Sequence, residues 1–330
     1  MDPLSRRTIL RLLGTSALPL NFAGCGSRFG GGLTVGSSHV PTPNQPLTPT
    51  AQFYVNHNYP QPEVPGQWAL KVRGMVDMPL SLTLAELQSL PSVTRRVTQE
   101  CVGNHPGGTL ISAGDFTGVP LPAVLELAGV SPRARGLEVV GLDGYPSFVP
   151  IDADGVLVHT MNGAALQPIH GAPLRALFPG RYGMFNIKWL DALIPTRSAQ
   201  GWMAYGDLAN ALDGKTAIRS RIDALLDGQT VPVNETQTLY GLAVTPGDQV
   251  AEVQIDTGAG WQQAELTYNR VGDELSPWLW TLWSTEWTPT SRGPVTVRVR
   301  AIDRAGSTQS SDPGFPYDAG AIHVVAVRVV

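Results

Sequence analysis

The sequence predicts two domains of different class, a mixed α+β domain over residues 51–215 followed by an all-β sandwich over residues 216–330. Three observations carry this. Strand-like and helix-like patterns interleave between Trp68 and Leu190 without a regular βαβ rhythm or a glycine-rich dinucleotide fingerprint. From about Leu208 the composition shifts to alternating apolar and polar runs parted by Gly, Pro and Asp turns. With 330 residues, 42% hydrophobic and only 15% charged, the chain also holds enough apolar material for two cores.

Residues 1–30 read as a targeting segment. Ser5-Arg6-Arg7-Thr8-Ile9-Leu10-Arg11 is a twin-arginine run, and the apolar stretch from Leu12 to Ala23 is too short to span a bilayer. This implies export to the periplasm or outer cell envelope, by a route that carries folded proteins and often their cofactors. Phe22-Ala23-Gly24-Cys25 has the form of a bacterial lipoprotein processing site, so Cys25 is expected to carry a lipid anchor or to be cleaved away; a plain secretory peptide is the alternative. Residues 31–50, with Ser37, Ser38, Pro41, Pro43, Pro46 and Pro49, are expected to form a flexible tether. Without residues 1–24, three of the 23 basic and one of the 27 acidic residues go, leaving a net charge of −6. That argues against nucleic acid and against a basic membrane-binding face. Any membrane attachment is expected through Cys25 alone.

The body opens with Phe53-Tyr54-Val55-Asn56-His57-Asn58-Tyr59-Pro60, aromatic and β-branched residues that turn abruptly polar. Trp68 to Gly74 alternates with period two and predicts a half-buried strand. Thr83 stands three residues before Glu86, a capping-box spacing, and the leucines around it fit a short helix stopped by Pro91. The β-branched run Val93 to Thr98 then breaks into the loop of Cys101, Asn104, His105, Pro106, Gly107 and Gly108, so Cys101 is presented where a strand ends. With Cys25 lipidated or removed, Cys101 is alone in an oxidising compartment, where a thiol needs a task or burial. A buried inert cysteine and a Cys25–Cys101 disulfide are the bland alternatives.

Phe116 to Gly129 predicts a helix with proline near its start and glycine at its end. Leu137 to Gly141 is a strand, Asp143-Gly144 a turn, and Val156 to Gly163 a strand closed by an Asn162-Gly163 turn. His170 to Leu190 gathers His170, Arg175, Arg181, Lys188 and several glycines into turns. An arginine fork suits phosphate, a lysine adds a point charge, and glycine lets backbone N–H groups approach an anion. An ordinary solvated loop is the alternative. In the second domain, Leu239–Val244, Gln249–Asp256, Trp278–Trp283 and Val295–Ala301 alternate as sandwich strands, with Trp261, Trp278, Trp280, Trp283 and Trp287 expected in the core.

Taken in order, these stretches resemble the sulfite oxidase superfamily. The match runs through Phe53-Tyr54-Val55-Asn56-His57, Glu100-Cys101-Val102-Gly103-Asn104, Phe116-x-Gly118-Val119-x-Leu121, Gly141-x-Asp143, Met161-Asn162-Gly163, His170-Gly171-x-Pro173-x-Arg175 and Ile187-Lys188-Trp189-Leu190. Val253 to Ala264 and Arg300 to Gln309 resemble the same family's immunoglobulin-like dimerisation domain. The resemblance implies a sulfite oxidase-like molybdopterin-binding domain in which Cys101 gives a soft thiolate to molybdenum. It places Asn56, His57, Asp143, His170, Arg175, Asn186, Ile187 and Lys188 around the pterin and its phosphate, and it makes His105 and Tyr205 candidate pocket residues. Two departures stand out: Pro106 occupies the place of an arginine in sulfite-oxidising members, and Phe116 that of a pocket tryptophan.

The implied activity is oxo transfer to or from a small substrate by a mononuclear molybdenum–molybdopterin cofactor. Electrons would leave to an external carrier such as a cytochrome, since the chain has no c-type haem motif and no cysteine set for an iron–sulfur cluster. A homodimer is implied through the second domain. The alternatives are a reductase, for instance of sulfoxides, and a catalytically dead envelope lipoprotein that binds a partner.

Overall fold

The computed structural model describes residues 32–198, 214–267, 270–271, 274–311 and 320–330. The chain runs β1 (Leu33–Val35), β2 (Val55–His57), β3 (Leu70–Val72), β4 (Leu80–Leu82), α1 (Leu84–Ser89), β5 (Val93–Glu100), β6 (Ile111–Pro120), α2 (Leu121–Leu127), β7 (Gly136–Gly141), β8 (Pro146–Pro150), β9 (Val156–Met161), β10 (Ala164–Ala165), β11 (Arg175–Leu177) and β12 (Leu190–Thr196). The second unit holds β13 (Arg219–Ile222), β14 (Thr230–Val231), β15 (Gln237–Val244), β16 (Val250–Asp256), β17 (Trp261–Gln263), β18 (Glu265–Thr267), β19 (Arg270–Val271), β20 (Glu274–Leu275), β21 (Thr281–Trp287), β22 (Gly293–Asp303) and β23 (His323–Val329).

Two sheets build the first unit, one antiparallel and one mixed. One has the order β10-β9-β6-β5 with β11 also on β9, and the other β4-β3-β12-β7-β8, where β12 pairs β3 in parallel. Their shared core takes Leu70, Val72, Leu137, Val139 and Leu193 from one sheet and Val119, Leu157 and Ala176 from the other, with Leu87 and Val124 packed from the helices. The capping box forms: Thr83 Oγ1 accepts from Glu86 N–H and Glu86 Oε2 accepts from Thr83 N–H. The helix expected from Phe116 begins only at Leu121, because Phe116–Pro120 finish β6 as a central strand paired on both sides. Gly118 allows that pairing, since a Cβ there would stand 2.0 Å from Leu157 O.

In the second unit the sheets β13-β15-β21-β18 and β14-β23-β22-β16-β17 share one apolar core, with Leu239 and Trp283 meeting Val253, Val297, Val299 and Val325. The tryptophans divide. Trp280 and Trp283 are buried, whereas Trp261 is half-buried beneath Arg300, whose guanidinium lies 4.3 Å from the ring centroid.

Residues 32–50 correct the expectation of a tether. They form a strap along both units: β1 pairs β2, Thr48 exchanges hydrogen bonds with Ala113, and Pro46 O accepts from Trp280 Nε1 at 2.8 Å. A Gly, Pro and Ser composition brings no apolar core of its own, yet its backbone groups satisfy strand edges that would otherwise lack partners.

Candidate active site

Cys101 follows the last residue of β5. Its N–H donates to Leu110 O at 2.9 Å and its carbonyl accepts from Asn104 N–H at 3.0 Å, so the loop is closed near its mouth. The side chain is only 6% exposed and lines a half-open cleft with about 770 Å³ of empty space, its solvent mouth included. Asn56 on β2 donates its amide N–H to Cys101 Sγ at 2.9 Å. A thiol at a strand end is therefore buried against protein on one side and open to the cleft on the other.

The histidines are held neutral by burial and fixed in tautomer by carbonyls. His57 Nδ1 lies 2.6 Å from Tyr59 O, which places its proton on Nδ1 and leaves Nε2 an acceptor. His170 Nε2 lies 3.1 Å from Thr50 O, which assigns the opposite tautomer. Burial, followed by the charges of Arg175 and Lys188, brings His170 down to about 4, and burial also lowers His57.

Arg175 opens β11 and is buried, its Nη1 donating to His170 O and its Nη2 to Gln99 Oε1, with its guanidinium carbon over the Phe116 ring, 5.6 Å from the centroid. Burial lowers its pKa to about 10, so it stays charged. Lys188 donates to Ile169 O at 3.2 Å, and burial, then Arg175, brings it down to about 7. Gly171, at φ +109, permits this approach of loops, because a Cβ there would meet Lys188 Cα at 2.9 Å. Asp143 sits nearby with its carboxyl pKa raised by burial, its Oδ1 accepting from Tyr145 N–H. Two crowded cations that face one carboxyl make a cleft short of negative charge.

The sequence-expected residues Asn56, His57, Cys101, Asp143, His170, Arg175, Asn186, Ile187 and Lys188 all line this cleft. Asn186, however, spends its amide on the protein: Oδ1 accepts from Phe178 N–H, and Nδ2 donates to Arg181 O and Tyr182 O. It holds the turn that leads to Ile187 and Lys188. His105 is a correction. It is exposed and outside the cleft, because the loop turns away after Asn104 and points its carbonyl at Arg219. Tyr205 lies outside the described residues. Phe116 is fully buried behind Arg175. Lining residues that sequence reasoning missed include Tyr54 and Gln99. Each stands two positions before a named residue on an extended segment, Asn56 and Cys101, and period-two alternation was the signal that could have found them.

A family described as the oxidoreductase molybdopterin binding domain matches residues 57–202. Sulfite oxidase of Gallus gallus is 28% identical over 318 residues, covering 80% of this chain and 68% of its own length. Residues 57–202 form a molybdopterin-binding oxidoreductase domain of the sulfite oxidase and nitrate reductase type. Inducible nitrate reductase [NADH] 2 of Glycine max is also 28% identical, over 327 residues, but this chain spans only 37% of it. Among solved structures, the sulfane dehydrogenase SoxCD from Paracoccus pantotrophus shares the fold with a TM-score of 0.70 at 21% identity, over 85% of this chain and 80% of that one.

The superfamily's cofactor is molybdenum–molybdopterin, and the cleft fits it. His57 Nε2, Gln99 Nε2 and Arg175 Nε are buried there without a hydrogen-bond partner among the described residues. Buried polar atoms of this kind carry a desolvation cost that a bound polar group relieves. A soft sulfur ligand, three unsatisfied atoms and two basic side chains that share one carboxyl are the donor set that a metal, a pterin edge and a phosphate require.

Proposed function

We propose that this chain is an exported mononuclear molybdenum enzyme that transfers an oxygen atom to or from a small substrate and passes electrons to a separate carrier. The observation that carries the reading is Cys101 Sγ at the cleft beside the Asn56 amide, with Arg175 and Lys188 in the same wall. When bound, the molybdenum centre supplies two-electron oxygen exchange and returns electrons singly. Cys101 would ligate the metal, Arg175 and Lys188 would neutralise the phosphate, and Asp143 would accept from the amino edge of the pterin. Tyr54, whose pKa burial lifts far above 10, keeps its proton and offers a neutral donor close to Cys101. The twin-arginine run supports export, Cys25 a lipid anchor, and the resemblance of the second unit to an immunoglobulin-like dimerisation domain supports a homodimer.

Pro106, in the place of the sulfite-binding arginine, favours a second reading, reduction of a neutral oxide such as a sulfoxide. The test is metal and pterin analysis of the protein from a host that makes molybdopterin, beside Cys101→Ser, with sulfite-oxidation and sulfoxide-reduction assays. Molybdenum near one per chain, with an altered spectrum in the variant, is the expected result. A folded, active protein free of metal and pterin would overturn the proposal.

A further inference from the structure

The loop that carries Cys101 is gripped from outside its own unit. Arg219, on β13 of the second unit, sets its Nε 2.7 Å from Glu100 Oε1, and the two side chains are 4% and 1% exposed. Its Nη1 donates to His105 O at 2.9 Å. Arg221, two residues on, donates from Nη1 to Gly108 O at 3.0 Å and is itself paired with Asp223 at 2.6 Å. Glu100 Oε1 also accepts from Asn104 Nδ2, and Asn104 Oδ1 accepts from Leu110 N–H, so the hold on Glu100 reaches both ends of the loop. His323 of β23 lies so close to Gly107 that a Cβ there would stand 2.3 Å from its Nε2.

Neither arginine lines the cleft, so any effect of either on the site acts through the cysteine loop. A fully buried ion pair adds little net stability, because desolvation offsets the attraction, but removing one partner strands the other. The contacts are thus better suited to fixing one geometry than to strengthening the fold. We infer that Arg219, supported by Arg221, is a positioning residue for Cys101: the second unit fixes the cysteine loop and with it the direction in which Sγ enters the cleft. This rests on Cys101 being the molybdenum ligand of the proposed function.

The test compares full-length wild type, Arg219→Met, Arg219→Lys and the double variant Glu100→Gln/Arg219→Met. In metal-free protein, alkylation of Cys101 by iodoacetamide at one fixed pH, followed by peptide mass, is expected to rise roughly tenfold or more in Arg219→Met, since a thiol that is 6% exposed at the cleft wall is uncovered further each time its released loop opens. Arg219→Lys is expected to return most of the way. In molybdenum-loaded protein the Mo(V) resonance spectrum is expected to shift in Arg219→Met and to recover partly in Arg219→Lys. A folded Arg219→Met with wild-type alkylation and a wild-type spectrum would overturn the inference. Should Arg219→Met not fold, the double variant, which strands no charge, decides by the same two readouts. Failure of the wild type to bind molybdenum would defeat the proposed function, while the alkylation comparison would still show whether Arg219 fixes the cysteine.

Discussion

Lys188 is the side chain whose state depends most on what fills the cleft. Its pKa of about 7 in the folded protein lies below the roughly 10.4 of an unfolded chain. Between those values the unfolded state binds more protons, so the stability of the cofactor-free protein rises as pH climbs from about 7 towards 10, and the whole penalty is present below 7. Lys188→Met should flatten that rise and raise stability at pH 7, while the same change should weaken cofactor retention. Urea unfolding of the metal-free protein across that pH range checks both signs, and a slope surviving in the variant would assign it to another group. A bound phosphate would restore the ammonium. At this scale Cys101, Arg175 and Lys188 were legible through their order in the stretches that resemble the family, since an arginine or lysine in a loop is unremarkable alone, and the structure brings them to one cleft. His105 misled because adjacency in sequence says nothing about direction once a loop turns. The engagement of Asn186 was hidden too, since its partners are backbone carbonyls that every residue possesses.

Elements place those side chains by close strand approach and by caps. The pairing of β6 with β9 shifts register at Gly118, where the neighbouring carbonyl of Leu157 leaves no room for a methyl. Gly118→Ala should therefore force the strands apart and cost about 3 kcal/mol, as overpacking does. Because β6 also pairs β5, which ends just before Cys101, molybdenum content should fall with stability. Thr83→Ala makes the contrast: it removes an exposed capping box at a cost of about 1 kcal/mol, and α1 has no residue in the cleft, so metal content should not change. Chemical denaturation with metal analysis on both variants separates the two cases, and equal metal loss would refute the distinction. Capping spacing and β-alternation were readable locally, so α1, β5, β7 and β9 stand where the sequence put them. Phe116–Pro120 was not readable as strand, because Gly118 and Pro120 are poor strand formers and the prolines there read as a helix start.

The two units meet through a third apolar cluster, in which Ile111 and Ala113 of the first pack with Leu242, Val244, Leu279, Trp280 and Leu282 of the second. Trp280 is the hub. Its N–H donates to Thr98 Oγ1 on the cysteine strand, and its indole donates to Pro46 O in the strap, so three distant segments converge on one side chain. The strand-rich second unit was legible from composition, whereas the first, expected to mix strands and helices, is mostly strand with two short α-helices among its described residues; this junction was not legible, since its members lie up to 234 positions apart and none is unusual alone. The strap was misread for the same reason: its value lies in carbonyls and amides offered to other segments. A junction this apolar couples unfolding, so the full chain should melt in a single calorimetric transition. Trp280→Ala should cost about 3–5 kcal/mol and separate that transition into two, the first unit melting at the lower temperature because it loses both the strap and the anchor of β5. Two transitions already present in the wild type would show that the junction does not couple the units, and a single lowered transition in the variant would mean that Arg219 and Arg221 suffice to keep them together.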